Sequence, residues 1–171
     1  MMKVTIQRAT VDDAKQLSEM GYASYRHHFG HLWENQTELA AFLEQEYAPQ
    51  AIADSLLQPG TYWLIASAQT PVGFAKFSTQ QTIEPEGLSG TLLHKLYLLP
   101  DATGHRYGEQ LLAEVIRQAK ACSENLLWLE VLEKNPRARR FYEAQGLKHV
   151  KDTLFVTAAQ TSTLHIMSMP V

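Results

Sequence analysis

The sequence predicts a mixed α/β (α+β) fold, in which a mostly antiparallel sheet of about seven strands is flanked by helices. Two observations lead to this prediction. Short apolar or alternating runs typical of strands are interleaved with segments of helical periodicity, and the turn residues between two of the strand candidates indicate a hairpin. Short turns favour antiparallel pairing, because parallel neighbours need long crossover connections. The predicted order is β-α-α-β-β-β-α-β-α-β-β.

The composition narrows the classes of protein to consider. The 171 residues are 45% hydrophobic, which suffices for one core, so we expect a single domain over residues 1–171. The formal net charge is -3 without a long run of one sign, which argues against a nucleic-acid partner. No apolar run approaches the roughly 20 residues that span a bilayer, so we expect a cytoplasmic protein and no membrane partner. Cys122 is the single cysteine and no Cys or His cluster has zinc spacing, so no metal is expected.

The chain begins with a predicted strand and helix. Val4 and Ile6 alternate with polar residues, as in a half-buried strand. Thr10 or Asp12 can then cap a helix whose first turn is acidic.

Residues 35–60 are predicted to be helical in two pieces. Thr37 can cap the first piece, whose Leu39, Phe42 and Leu43 share one face. Pro49 interrupts the pattern, because proline lacks the N–H group that a helix interior uses.

Three strands are predicted in the middle of the chain. Residues 61–68 and 72–79 are typical of strands, and the turn residues between them indicate a hairpin. Residues 80–90 are predicted to be a looser linker. Residues 91–99 are apolar enough for a central strand buried on both faces.

A helix from about Arg106 to Ala121 and a buried strand over residues 126–132 come next. The helical spacing is carried by five apolar residues, Leu111, Leu112, Val115, Ile116 and Ala119.

The next helix is predicted from its end signals. Asn135 is placed to cap it, Pro136 occupies the favoured first position and Gly146 marks the exit. Residues 149–156 and 161–169 are predicted as the last two strands.

The loop between the central strand and the helix near Arg106 is a candidate anion site. The first N–H groups of a helix lack intrahelical partners and, with the helix dipole, favour a phosphate. Gly104 and Gly108 would allow close approach of a ligand, and His105 and Arg106 could add charge-assisted contacts. The structural alternative is that Gly104 turns the chain and Gly108 packs the helix on the sheet.

A second motif lies on the next strand and helix, and with it the chain resembles the GCN5-related N-acetyltransferases. Their later motif, Asn-x-x-Ala-x-x-Phe-Tyr-x-x-x-Gly-Phe, is nearly complete here as Asn135, Ala138, Phe141, Tyr142 and Gly146, with Leu147 in place of the final Phe. Their cofactor loop, Gln/Arg-x-x-Gly-x-Gly/Ala, is matched less well. Thr103 stands at the Gln/Arg position and Arg106 at the first glycine, while Gly108 is in register. The order of elements also matches over essentially the whole chain.

The resemblance implies an acetyl-CoA-dependent N-acetyltransferase that works by direct transfer in a ternary complex, without a metal. Pantetheine would pair with the backbone of the central strand, and Tyr142 would protonate the leaving thiolate. A backbone N–H, that of Leu96, would meet the oxyanion. The structural alternative for Tyr142 is an aromatic core anchor. The implied cofactor contacts are Leu96, Tyr97, Leu98, Thr103, Gly104, His105, Arg106, Tyr107, Gly108, Glu109, Asn135 and Tyr142.

The attacking amine must also lose a proton. His94 occupies what the resemblance implies is the position of the base, and histidine titrates in a suitable range. The alternatives are Glu130, Glu133 and a chain of water molecules, and a lone histidine on a strand is more often structural.

The acceptor is expected to be a primary amine of a small molecule. Residues 29–33 (FGHLW) with the helix that follows, together with residues 128–146 (WLEVLEKNPRARRFYEAQG), resemble the PaiA-like branch of the family, which implies a polyamine acceptor. Carboxylates suited to a polycation are available at Glu34, Glu38, Glu84 and Glu86, although these residues are equally explained as solvated surface. The dense aromatic and imidazole side chains of the expected acceptor wall are Tyr22, Tyr25, His27, His28, Phe29, His31 and Trp33.

The resemblance also implies a homodimer, because family members often form homodimers through their last strands.

Two other classes of function remain open at this point. One is a catalytically weak or inactive acyl-CoA-binding regulatory module, which the irregular residues Thr103 and Arg106 would suit. The other is an interaction protein that uses the sheet and the aromatic residues near His31. The matches at Tyr142 and Asn135 argue against both.

Overall fold

The computed structural model describes residues 3–171, which form a mixed, mostly antiparallel sheet with flanking helices. The elements are β1 Thr5–Arg8, α1 Ala14–Phe29, α2 Gln36–Tyr47, α3 Pro49–Leu56, β2 Thr61–Ala68, β3 Thr70–Ile83, β4 Leu88–Leu98, α4 Tyr107–Ala121, β5 Leu126–Leu132, α5 Pro136–Ala144, β6 Lys148–Val156 and β7 Thr161–Pro170. The strand order is β1-β2-β3-β4-β5-β7-β6. β4 and β5 pair in parallel, whereas β1–β2, β5–β7 and β6–β7 pair antiparallel. The predicted fold class is therefore confirmed.

The chain divides into two compact units. Unit 1 contains the residues up to Lys76 together with Lys95–Glu114, and unit 2 contains Phe77–His94 and Val115–Val171. The single domain expected over residues 1–171 stays a prediction. None of the helices within residues 3–171 is long and apolar enough to cross a membrane.

The core of unit 1 joins α1, α2 and α3 to β2 and the start of β3. Gly21 allows α1 to approach α2 closely, since a Cβ at Gly21 would overlap the ring of Tyr47. The fully buried side chains of this core include Leu17, Leu39, Leu43, Tyr47, Ile52, Trp63 and Phe74.

The start of α2 corrects one sequence expectation. Asn35, not Thr37, caps this helix, and its Oδ1 accepts a hydrogen bond from the N–H of Glu38 at 3.0 Å. Both residue types can cap, and the one that precedes the first helical turn does so. The interruption at Pro49 is confirmed, because Ala48 before it takes an extended ψ of 141°.

The prediction of a linker over residues 80–90 is wrong for most of this segment. β3 continues to Ile83 and β4 begins at Leu88, so the two neighbouring strands form a long hairpin whose turn is residues 84–87. Trp128 explains the extension, because it packs in a buried cluster with Ile83 and its indole N–H donates to the carbonyl of Gln81 at 3.1 Å. Polar residues that suggested a linker are therefore held in a strand by a contact from β5.

The second half of the chain follows the predictions closely. β5 has the predicted bounds, and α4 begins one residue after the expected start. Asn135 caps α5 by accepting a hydrogen bond from the N–H of Ala138 at 3.3 Å, and Pro136 is the first helical residue. Gly146, with φ of +104°, ends the helix in the left-handed conformation that favours glycine.

Candidate active site

The expected phosphate loop lies in unit 1 between β4 and α4. Pro100–Ala102 form a short 3-10 turn, and Thr103 then extends the chain with ψ of 157°. Gly104 has φ of +86°, which glycine adopts without a Cβ penalty. α4 begins at Tyr107, and the carbonyl of Arg106 accepts a hydrogen bond from the N–H of Gln110 at 3.4 Å. This geometry directs the first amides of the helix into the loop, as an anion site requires.

Arg106 itself adopts the left-handed conformation, with φ of +62°, and is exposed. An L-residue in this region is less stable than glycine by about 1–2 kcal/mol. This explains physically why the family motif has glycine at this position. In the present chain the loop keeps this conformation although the residue is an arginine.

Replacing Arg106 tests this loop. Arg106→Gly should raise the free energy of unfolding by roughly 0.5–1 kcal/mol, because relief of the left-handed strain exceeds the added unfolded-chain entropy of about 0.4–1 kcal/mol. If the guanidinium binds phosphate, affinity for acetyl-CoA should fall about tenfold, as expected for one charge-assisted hydrogen bond. Arg106→Ala is the matched control, since it removes the charge and keeps the strain. Calorimetric titration with acetyl-CoA and chemical unfolding measure both effects, and unchanged affinity in both variants would show that the side chain only points to solvent.

The end of β4, with Leu96, Tyr97 and Leu98, is the other expected cofactor segment of unit 1. All three residues are half-buried. The carbonyl oxygen of Leu98 accepts a hydrogen bond from His28 Nε2 at 2.9 Å, which requires the tautomer with its proton on that nitrogen. A carbonyl has a second lone pair, so this contact leaves room for another donor. Pairing of pantetheine with Leu98 stays a prediction.

The expected acceptor wall is largely a packed aromatic cluster. Tyr25 lies at its centre, with ring centroids 5.0 Å from Phe29, 5.1 Å from Phe42 and 6.4 Å from Tyr97. Its hydroxyl accepts a hydrogen bond from Trp33 Nε1 at 3.1 Å. Burial raises the pKa of Tyr25 to about 12, despite the opposing effect of this hydrogen bond. Packing thus explains most of the aromatic density in this region, while His27 and His31 are exposed.

An ion pair that sequence reasoning missed lies beside this cluster. Lys95 Nζ is 2.6 Å from Glu46 Oε1, and the two side chains are only 8% and 28% exposed. The ammonium group also lies 4.9 Å from the ring centroid of Tyr47. The pair links α2 to β4 across 49 residues of sequence, so no local sequence pattern could predict it.

Unit 2 holds the remaining expected site residues. Tyr142 lies on α5, is half-buried, and has its ring 5.3 Å from that of Phe141. Burial raises the pKa of Tyr142 well above the ordinary tyrosine value, so the phenol stays protonated at neutral pH. A protonated phenol is the form that can donate to a leaving group.

The register of β4 and β5 puts the two candidate bases of unit 2, His94 and Glu130, on the same face of the sheet. The parallel register pairs Leu93 with Leu129, and His94 and Glu130 each follow by one residue. His94 is exposed and its Nε2 lies 2.8 Å from Ser78 Oγ, a partner on β3 that sequence reasoning missed. Glu130 is exposed as a residue, yet partial burial of its carboxylate raises its pKa.

Comparisons with known proteins show that the chain is similar to acetyltransferases. The sequence profile of the Acetyltransferase (GNAT) family matches residues 20–147, and the chain belongs to this family. It is an acetyl-CoA-dependent N-acetyltransferase. An uncharacterized N-acetyltransferase from the pepI 3' region of Lactobacillus delbrueckii subsp. lactis is 24% identical over an alignment of 169 residues, and the alignment covers 95% of this chain and 95% of that protein.

Solved structures with the same fold cover nearly the whole chain. The PaiA N-acetyltransferase of Thermoplasma acidophilum, solved with coenzyme A, has a TM-score of 0.79 at 20% identity, covering 99% of this chain and 100% of that chain. A GCN5-related N-acetyltransferase from Rhodopseudomonas palustris has a TM-score of 0.79 at 19% identity, covering 100% of this chain and 98% of that chain. These likenesses confirm the fold.

Proposed function

We propose that the chain acetylates a primary amine of a small molecule by direct attack in a ternary complex. The amine nitrogen attacks the thioester carbonyl of acetyl-CoA, and the carbon–sulfur bond then breaks. The proton lost by the amine passes to a base, and the leaving thiolate of CoA receives a proton from Tyr142. The products are an acetamide and free CoA, without a covalent enzyme intermediate.

The observation that best supports this mechanism is the burial of Tyr142, which keeps its phenol protonated. It lies on the Asn135-capped helix that carries the family motif, and burial raises its pKa. We assign the cofactor to the amides of Gly104, His105 and the first turn of α4, and to the end of β4. The oxyanion is assigned to the N–H of Leu96.

We assign the base to His94. The hydrogen bond between His94 and Ser78 would orient the imidazole, and an exposed ring can exchange its proton with water. Glu130 is the competing candidate, because its raised pKa brings a carboxylate closer to the range of a useful base.

The two candidates predict different pH profiles. The base must be deprotonated, so kcat/KM rises as pH passes upward through its pKa. His94→Ala should lower kcat/KM by about 100-fold or more and remove this acidic limb, whereas Glu130→Gln should leave both the rate near neutral pH and the limb in place. Initial rates measured across pH for the two variants decide between them, and loss of the limb in Glu130→Gln alone would transfer the role to Glu130.

For the acceptor, we propose a polyamine. The resemblance of the sequence to the PaiA-like branch motivates this choice, and the carboxylates Glu34 and Glu84 are exposed. The test is free-thiol release from acetyl-CoA with a panel of polyamines, amino acids, aminoglycosides and lysine peptides, with product masses recorded. Turnover confined to polyamines is expected, and turnover confined to another class would name a different acceptor. A cytoplasmic location and homodimerisation remain predictions.

A further inference from the structure

Three side chains on β6 and β7 bring possible metal ligands together in unit 2. His149, Asp152 and His165 each offer one ligand atom, and these atoms lie within 4.8 Å of one another. The acetyl transfer proposed above uses none of these residues. Along the chain Asp152 lies 3 residues after His149 and 13 residues before His165, which is not the spacing of a familiar zinc motif.

A β-bulge produces this arrangement. Residues three apart on a regular strand point to opposite faces, because side chains alternate. In β6 the register shifts between His149 and Lys151, so that His149 lies opposite Met167 and Asp152 opposite His165. Met167 and His165 are two residues apart on β7 and share a face, and therefore His149 and Asp152 share it too. Bulges are enriched at sheet edges and near functional sites, where they redirect a side chain, and β6 lies at one edge of the sheet.

The contacts between the three groups converge on one carboxylate oxygen. Oδ1 of Asp152 lies 2.6 Å from His149 Nε2 and 2.7 Å from His165 Nδ1. The two imidazole rings are 5.5 Å apart at an angle of 78°. The side chain of His165 is only 9% exposed, whereas those of His149 and Asp152 are 39% and 49% exposed. One nitrogen is thus held by the fold while the other two groups face solvent, which provides an entry path for an ion.

We propose that His149 Nε2, a carboxylate oxygen of Asp152 and His165 Nδ1 bind one divalent transition-metal ion of the zinc type. Two imidazole nitrogens and one carboxylate oxygen are preferred ligands of Zn²⁺, and three protein ligands leave the fourth tetrahedral position to water. Hard cations such as Mg²⁺ and Ca²⁺ prefer sets made of oxygen atoms.

Small side-chain movements reach this geometry. Ligands about 2.1 Å from a tetrahedral Zn²⁺ are about 3.4 Å from one another, so the present contacts to Asp152 must open slightly. The exposed His149 and Asp152 can rotate outward, while His165 stays in place. In the bound state each imidazole is neutral and carries its proton on the ring nitrogen that does not bind the ion, so the lone pair of the ligating nitrogen faces the ion. The bound ion would fasten the edge strand β6 to β7 across the bulge.

Metal binding by the purified, chelator-stripped protein tests the site. We expect one Zn²⁺ per chain in calorimetric titration, a visible absorption band on Co²⁺ substitution, and a higher thermal midpoint with Zn²⁺. His149→Ala and Asp152→Asn should each weaken binding by more than about 100-fold, since loss of even an outer-shell partner costs 10–100-fold. Both side chains are exposed, so these variants do not depend on the core.

His31→Ala is the matched control, because it removes an exposed imidazole that could pair with His27 as an alternative chelator. It should bind Zn²⁺ as the unmodified chain does. Absence of stoichiometric binding, binding that survives in His149→Ala or Asp152→Asn, or binding lost in His31→Ala would overturn the proposal. None of these measurements depends on acetyl transfer.

Discussion

Tyr142→Phe should lower kcat by about 100-fold to 10,000-fold, the range in which a positioned general acid contributes. Without the phenol, the thiolate of CoA must leave unprotonated or take its proton from water. The ring of phenylalanine keeps the packing against Phe141, so the fold and the affinity for acetyl-CoA should change little. Single-turnover thiol release, together with calorimetric titration of acetyl-CoA, separates the chemical step from binding.

The pH profile adds a second test of the same role. Burial raises the pKa of Tyr142, so loss of its proton should begin to reduce turnover only at a pH above the ordinary range of tyrosine. Tyr62→Phe, at a half-buried tyrosine on β2, is the matched control and should keep the rate of the unmodified chain. Full activity of Tyr142→Phe at every pH would remove the general-acid assignment.

Features encoded by neighbouring residues could be predicted from the sequence. The helix that carries Tyr142 is an example, because its cap at Asn135, its first residue Pro136 and its exit at Gly146 are all local signals. The departure at Arg106 was also visible, although its positive φ required the structure. The motif around Tyr142 indicated the family, and the profile match to residues 20–147 confirms that the chain belongs to it.

Features that depend on distant partners could not be predicted. Polar residues after Thr79 suggested a linker, and Trp128, 47 residues from Gln81, keeps this segment in a strand. His28 reaches the carbonyl of Leu98 across 70 residues. The cluster at His149 depends on a one-residue bulge, which strand periodicity does not reveal.

The ion pair between Lys95 and Glu46 shows most clearly how a distant contact affects stability, and it leads to the other large expected effect. Glu46→Gln should lower the free energy of unfolding by about 3 kcal/mol, near the lower end for a broken buried pair because Glu46 is 28% exposed. The cost arises because the ammonium of Lys95, whose side chain is 8% exposed, loses its counter-charge while staying close to Tyr47. Chemical unfolding measures the difference.

Two further variants show whether the effect comes from the unpaired buried charge. Combining Lys95→Met with Glu46→Gln should recover much of the lost stability, because replacing both partners of a buried pair by groups of similar volume is often neutral. In the exposed pair of unit 2, Arg139 Nε and Glu143 Oε1 are 3.5 Å apart, and Glu143→Gln should cost only about 0–1 kcal/mol. Equal losses in Glu46→Gln and Glu143→Gln would mean that burial adds nothing to the Lys95 pair. A double variant as unstable as Glu46→Gln would assign the loss to packing instead, and the link between α2 and β4 would then be steric rather than electrostatic.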